Sequence, residues 1–369
     1  MQKMDVAIID VGSSKVSSFV GEKGVNKTFI IKGYKEVEYS GFLSGEFLDV
    51  NETVSVVKKM ANNLLTNARA IKKVYVGVPG AFTRTIIRDG QLSFDKKRKI
   101  TAKEINMLYD AGLNESIHGS KVINRSAILY ELDDFRKTPT VYGEYSSTLK
   151  GRMSYVLCTD YFTKIISDAI VSMGIPEVEF VSVPLAEALY LVNDESRDRL
   201  AILVDVGYIT STFSIIQGDG ILYQRSFDFG GGMITAALSE AFDIDFDVAE
   251  KLKRKATISV ASGETDSYEI ISGDEGLYFN KNTVKEIILR SIDTLAEEID
   301  TCLTNSRINV PDYAHILVTG GGISYLRGAK ERLSNMLNKV VETVAPVLPF
   351  MDKPINSSYL SILNLALDE

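Results

Sequence analysis

Two stretches of the chain, AIIDVGSSKVSSF and AILVDVGYITSTFSI, share one arrangement. An apolar run enters Asp-x-Gly, hydroxyl residues follow, and a second apolar run leaves. In the first, Asp10 and Gly12 are followed by Ser13, Ser14 and Lys15; in the second, Asp205 and Gly207 are followed by Thr210. Glycine lets a turn approach phosphate oxygens closely, amides and hydroxyls donate to them, and carboxylates hold a hydrated Mg²⁺. A third turn, Thr319-Gly320-Gly321-Gly322, lies after the apolar HILV and before a helix predicted over about 328–337. Its glycines could admit a flat ring or a ribose, and Gly230, Gly231 and Gly232 ahead of Met-Ile-Thr raise the same possibility. Each motif alone also suits an ordinary tight turn. The repetition is what points to two hairpin tips closing over a triphosphate, a two-lobed nucleotide clamp. Glu250 and Lys253 stand one helical turn apart on AEKLKRK, a spacing that suits either an exposed ion pair or the lining of a nucleoside pocket.

The segments around these residues predict the scaffold. VAIIDV, VSSFVG and TFIIKGYKEV read as three adjacent strands. A helix over about 52–68, capped by Asn51 or Asp49, carries Val54, Val57, Leu64, Leu65 and Ala68 on one face. VYVGVPG returns to a strand, giving an α/β layer. From about Arg84 to Tyr155 the texture changes to short strands around one helix. Thr101 and Glu104 form a capping box for that helix, so this reads as a separate small α+β module. Helices are expected near 160–173, over 233–256, and over 283–306 with a Thr283/Glu286 capping box. The acidic GETDSYEIISGDEG between the last two reads as an exposed loop or hairpin. The repeated strand turns suggest a duplicated fold.

Composition narrows the function. With 369 residues, 45% apolar and 24% charged, the chain is globular and large enough for two cores. Its 41 basic and 49 acidic residues argue against a sequence-independent grip on nucleic acid. The Lys96-Lys97-Arg98-Lys99 cluster reads as a solvated hairpin turn. Cys158 and Cys302 give neither a disulfide framework nor a metal pattern, which suits a reducing cytoplasm. The start reads directly into a strand without a signal peptide, and no apolar run approaches the roughly 20 residues of a spanning helix. Gly21 to Thr28 resembles a P-loop, but Asn26 stands where a second glycine belongs, and a strand follows rather than a helix. Only His118 and His315 are present, so a zinc site or a Ser-His-Asp triad has little support. His315 reads as packing.

Together these residues resemble the actin, Hsp70 and sugar-kinase superfamily, and more closely the bacterial actin-like cell-division proteins of the FtsA family. The likeness rests on IIDVGSSKV, SGFLSGEFLDV, VYVGVPG with the small module after it, GGGMIT with AEKLK, and VTGGGISYLRG. It implies an α/β, two-lobed actin-like fold, a duplicated RNase H-like ATPase with an inserted SHS2-like subdomain. Lobe 1 would take 1–81, 158–197 and 346–369, and the insert 82–157. Lobe 2 would take 198–238 and 311–345, with its own subdomain over 239–310. The resemblance implies ATP and Mg²⁺ as ligands, with phosphate contacts from Gly12, Ser13, Ser14, Lys15, Gly207 and Thr210. Asp10 and Asp205 would lie near Mg²⁺, through water, and near an attacking water. Glu250 and Lys253 would hold the nucleoside, and Gly230, Gly231 and Gly320 to Gly322 would close the pocket.

Two departures from the family pattern stand out. The second phosphate turn of the superfamily reads Asp-x-Gly-Gly-Gly-Thr-Thr-Asp, whereas this chain has Tyr208 and Ile209 for glycines and Thr212 for the last acid. Bulky residues there restrict backbone approach to phosphate. The related pilus-assembly protein PilM also departs from glycine at this turn. The second departure is at NSSYLSILNLALDE, which reads as a closing helix where FtsA continues to a basic amphipathic helix. Membrane contact is therefore expected to be indirect, through a partner. Val183 stands where an Hsp70-type chain has a catalytic Glu, so the chain is expected to be at most a slow ATPase.

The leading expectation is a cytoplasmic ATP-binding scaffold at the inner face of the membrane at the division site. It would self-associate head to tail and engage the tubulin-like division protein FtsZ and other divisome proteins, with no nucleic-acid partner. The alternative is a PilM-like adaptor gripping a short peptide of a membrane protein in a pilus or secretion platform. A small-molecule kinase on the same clamp lacks a convincing carboxylate base.

Overall fold

The computed structural model describes residues 5–24, 29–67, 71–113, 116–273 and 275–368. The chain divides into two compact units: Met1–Ala201 with Ser214–Arg225 and Ser358–Glu369, and Ile202–Phe213 with Ser226–Ser357.

In the first unit, β1 (Val6–Val11) is buried at every position, Asp10 included, as the apolar run Val6–Ile9 requires of a strand covered on both faces. It pairs antiparallel with β2 (Lys15–Lys23), which pairs with β3 (Phe29–Glu38). Two short strands, β4 (Phe42–Leu43) and β5 (Glu46–Phe47), place Phe42 and Phe47 against Phe82, with ring centroids 4.9 and 5.0 Å from it. Helix α1 (Val50–Asn67) is capped by Asp49, whose carboxylate accepts from Glu52 N at 2.9 Å. Asn51 lies inside the helix. Val57 and Leu64 of the expected face are buried and Val54 is packed on the core, but Leu65 is exposed, and Ala68 lies outside the described residues. Strand β6 (Lys73–Val78) runs parallel to β1.

The insert follows as β7 (Thr83–Lys99), α2 (Ala102–Gly112), β8 (Ser120–Leu132), β9 (Lys137–Thr138) and β10 (Tyr145–Thr159), with sheet order β7-β10-β8-β9. Its strands are long rather than short, and Lys96 to Lys99 are the exposed end of β7 rather than a turn. The Thr101/Glu104 capping box of α2 is present. Ile100, Leu108, Leu149, Met153 and Tyr155 form a separate core beneath that helix. Helix α3 (Asp160–Val171), β11 (Glu177–Ser182), α4 (Val183–Leu191) and α5 (Asp194–Arg199) complete this stretch. The first sheet runs β11-β6-β1-β2-β3.

The second sheet repeats that succession. Three consecutive strands, β12 (Ala201–Val206), β13 (Ser211–Gln217) and β14 (Gly220–Phe227), lie in the order β14-β13-β12, and beyond β12 the sheet continues with two later strands, Ile316–Thr319 and then Val341–Thr343. The helix expected over 233–256 is two, α6 (Gly231–Phe242) and α7 (Phe246–Lys255). Asp243 ends α6 in the left-handed region at φ 50°, which breaks the run. The acidic segment is a hairpin, β15 (Ser267–Ser272) with β16 (Glu275–Asn280). Helix α8 (Lys281–Ser306) starts earlier than expected because the Asn280 side chain accepts from Asn282 N and Thr283 N. Thr283 is therefore inside the helix and not its cap. Strand β17 (Ile316–Thr319), α9 (Ala329–Leu337) and β18 (Val341–Thr343) follow. Helix α10 (Ser357–Asp368) stacks Tyr359 on Phe19 of the first sheet, centroids 4.0 Å apart. His315 is half-exposed, with Nδ1 3.0 Å from the Glu342 carboxylate, so it is not a packing residue. Val25 to Thr28 of the P-loop-like stretch lie outside the described residues. Among the described residues, no helix is long and apolar enough to cross a membrane.

Candidate functional site

Each unit holds its own set of the residues singled out by type and spacing. In the first, the β1–β2 hairpin turns through Gly12, Ser13 and Ser14, closed by Gly12 N donating to Lys15 O at 2.9 Å. Tyr39 donates its hydroxyl to Gly12 O at 2.9 Å and pins the turn from the end of the neighbouring strand. Lys15 is paired with Glu36 at 2.7 Å. Asp10, one residue before the end of β1, is 8% exposed. Burial pushes its carboxyl up to about 6, against the lowering effects of a Ser358 hydrogen bond and the Lys15 charge. A buried carboxyl beside a glycine–serine turn is a fit for a cation-bound phosphate, because an incoming positive charge would return it to the ionised form.

In the second unit, the β12–β13 turn runs through Gly207, Tyr208, Ile209 and Thr210, with Gly207 N donating to Thr210 O at 3.1 Å. Three further backbone donors converge on it. Gly231 N reaches Gly207 O at 2.9 Å, Gly232 N reaches Tyr208 O at 2.7 Å, and Gly322 N reaches Val206 O at 2.7 Å. Both glycine runs are thus nested against the turn. Gly320, at φ 86°, has no room for a side chain: a Cβ would collide with Asp205 Oδ1 and Val206 O. A Cβ on Gly230 would collide with the Tyr208 carbonyl, and one on Gly231 with Gly322. The glycines at 230, 231, 320 and 322 are accounted for by backbone approaching backbone. Gly321 instead faces Ile355, 3.0 Å from where its Cβ would lie.

Glu250 and Lys253 are not an exposed pair. Lys253 is 1% exposed and donates to Glu250 Oε2 and to Gly231 O, each at 2.7 Å. Burial pulls its ammonium below the ordinary lysine value, with Glu250 opposing. Burial alone would raise Glu250, but hydrogen bonds from Lys253, Thr235 and Arg254 bring it below the usual carboxylate value. Thr235 Oγ1 donates to Glu250 Oε2 at 2.6 Å, and Arg254 Nε to Oε1 at 2.8 Å. The pair is locked to the N-terminus of α6. Tyr208 and Tyr325 lie beside it, their ring centroids 5.4 and 5.8 Å from Lys253 Nζ.

The second unit therefore gathers Gly207, Thr210, Gly230, Gly231, Glu250, Lys253 and Gly320 to Gly322 with Asp205 on the adjoining strand. The first gathers Asp10, Gly12, Ser13, Ser14 and Lys15. Sequence reasoning missed Tyr39, Thr235, Tyr325 and Ser358. Thr235 stands four residues after Gly231, on the same helix face, and Tyr325 lies three residues after Gly322; those offsets were the only available signals. For Mg²⁺, no cluster of three or more His, Cys, Asp or Glu among the described residues could hold a metal directly. Holding through water from single carboxylates is the arrangement that remains compatible. Val183, which begins α4, is a buried apolar residue with no acid–base chemistry of its own.

The sequence profile of the family described as "Cell division protein FtsA" matches residues 202–363. The cell division protein FtsA of Pseudomonas aeruginosa is 21% identical over 92% of this chain and 82% of its own length. That of Neisseria meningitidis is 22% identical, over 94% and 84%. Among solved structures, a chain of the PilM-PilN type IV pilus biogenesis complex superposes with a TM-score of 0.63 at 17% identity, covering 99% of this chain and 98% of that one. MreB5 of Spiroplasma citri bound to AMPPNP gives 0.56 at 12%, covering 98% and 95%. The MamK double helical filament gives 0.52 at 14%, covering 98% and 99%. These superpositions show an actin-like fold, and the FtsA relatives span nearly the whole chain. The chain is thus similar to cell division protein FtsA over most of its length and has an actin-like fold.

Proposed function

We propose that this chain is an ATP-binding, actin-like scaffold of bacterial cell division. The carrying observation is the repeated hairpin. Each five-stranded sheet presents Asp-x-Gly and a hydroxyl at the same point in its strand succession, and the second adds a buried Glu250–Lys253 pair beside a glycine-lined helix start. In this reading Gly12, Ser13, Ser14, Lys15, Gly207 and Thr210 contact phosphates. Asp10 and Asp205 orient water around Mg²⁺, and Glu250 and Lys253 hold the nucleoside with Gly230, Gly231 and Gly320 to Gly322 around it. Bound Mg²⁺ would neutralise phosphate charge. The sequence-derived subdivision, with an insert over 82–157 and a second-lobe subdomain over 239–310, belongs to the same proposal. Any hydrolysis is slow, given Val183.

The biological part extends the FtsA likeness. The chain would self-associate head to tail at the inner face of the membrane and bind the tubulin-like division protein FtsZ. A head-to-tail contact that does not close gives a filament, and nucleotide can shift assembly only by favouring one arrangement over another. Sedimentation with and without ATP and Mg²⁺, alone and with FtsZ, is the test. Nucleotide-dependent pelleting and co-pelleting are expected; neither appearing at any nucleotide state would reject the proposal.

A PilM-like adaptor is the second reading, favoured by the superposition on the PilM-PilN complex over nearly both full chains. Capture of a short cytoplasmic peptide from a pilus-platform membrane protein, with no binding to FtsZ, would decide for it.

A further inference from the structure

The second hairpin turn carries a phenol ring where the surrounding glycines keep the backbone bare. The Tyr208 ring lies against the N-terminus of α6: a Cβ on Gly232 would stand 3.0 Å from its Cε1 and 3.3 Å from its Cδ1. The space left by that missing side chain is filled by Tyr208. The same ring covers the Lys253 ammonium, and Tyr325 covers it from a second direction. An ammonium has three donors. Two go to Gly231 O and Glu250 Oε2, and the remaining exposure is turned to aromatic faces, a favourable placement for a cation. Glu250 is equally engaged, accepting from Thr235, Lys253 and Arg254. The amides of Gly231 and Gly232 are spent on the turn itself. One polar atom in this cluster stays unsatisfied: the Tyr325 hydroxyl is buried and has no hydrogen-bond partner. Burial pushes its pKa up, with Glu250 adding to the effect, so it remains a neutral donor in need of an acceptor.

We infer that Tyr208 is the gate of the nucleoside seat in the second unit and sets its affinity for nucleotide. With the ring in place, the Lys253 ammonium is held between Gly231 O, Glu250 and the two aromatic faces, and Glu250 already accepts three hydrogen bonds. A nucleotide is admitted when the ring turns away, which frees one direction of Lys253 and brings an acceptor to the Tyr325 hydroxyl. Gating by Tyr208 makes this chain a weaker nucleotide binder than the same fold with glycine in the turn. The inference rests on the nucleotide reading above and specifies which side chain controls that site.

Calorimetric titration of ADP and AMPPNP with Mg²⁺ into the full chain tests it, on wild type, Tyr208→Gly and Ile209→Gly, each checked for folding by thermal melting. Tyr208→Gly is expected to bind at least tenfold more tightly than wild type. Ile209→Gly loosens the same turn without touching the ring and is expected to give no comparable gain. An equal gain from Ile209→Gly would assign the effect to backbone freedom and overturn the gate. Equal binding by wild type and Tyr208→Gly would overturn it while leaving the nucleotide reading intact. Absence of binding by both at millimolar nucleotide would overturn the two together. Should glycine at 208 unfold the turn, Tyr208→Ser retains a Cβ and supports the same comparison.

Discussion

At the residue scale, two buried ionisable groups have measurable consequences that do not depend on any ligand. Asp10 titrates near 6 in the folded chain and near 3.9 when unfolded. Between about pH 4 and 6 the folded form keeps a proton that the unfolded form has released, so stability falls as pH rises through that window. Asp10→Asn removes the penalty. At pH 7 it is expected to be more stable than wild type by on the order of 2–3 kcal/mol, the gap closing below about pH 4. Melting temperatures from pH 4 to 7.5 give this directly. A gap independent of pH would mean that Ser358 and Lys15 support the charged carboxylate fully. Lys253 works in the other direction. Lys253→Met leaves a half-buried Glu250 with only Thr235 and Arg254, and breaking a buried pair costs about 3–5 kcal/mol. The retained Arg254 partner places the expected loss near the lower end, about 3 kcal/mol. Urea unfolding of Lys253→Met against Lys253→Met/Glu250→Leu separates the orphaned charge from lost packing, since the double variant should recover part of the loss.

At the element scale, the start of α8 distinguishes what the sequence suggested from what the backbone adopted. Thr283 and Glu286 have capping-box spacing, yet Asn280, at the end of β16, reaches Asn282 N at 3.0 Å and Thr283 N at 3.1 Å first. Asn280→Ala is therefore expected to destabilise by about 1 kcal/mol, and Thr283→Ala by no more than a few tenths, in the same denaturation experiment. A larger loss from Thr283→Ala would move the helix start back to the sequence-based position. The same contrast explains which parts of the chain were legible. Asp-x-Gly hairpins, the Thr101/Glu104 box and the buried run of β1 are local signals, complete within a few residues. The split between α6 and α7 depends on one left-handed residue, Asp243, inside an otherwise helical pattern. The contacts that define the second-unit cluster bring Tyr208, Lys253 and Tyr325 together from three separate segments, and no local pattern encodes that meeting. Glu250–Lys253 spacing was equally compatible with solvent, and only the packing of α7 against Gly231 removes the choice.

At the scale of the whole molecule, the repeated strand succession was readable because both copies of the hairpin keep Asp-x-Gly between two apolar runs, while the lengths of the insert strands were not, since mixed polar residues obscure the alternation of β7. Charge makes the last prediction. The chain carries a formal net charge of −8 from 41 basic and 49 acidic residues. Copies approaching one another therefore repel over a distance set by the Debye length, roughly 30 Å at 0.01 M salt and 8 Å at 0.15 M. If the proposed head-to-tail contact is formed by packing rather than by opposite charges, added salt removes the repulsion and leaves the contact. Self-association measured by sedimentation velocity at fixed protein concentration is then expected to increase from 0.02 to 0.3 M KCl. An interface built on ion pairs would weaken over the same range. Running the series with and without Mg²⁺ and AMPPNP adds the second axis: a nucleotide that favours the assembling arrangement shifts the whole salt curve toward larger species without reversing its slope.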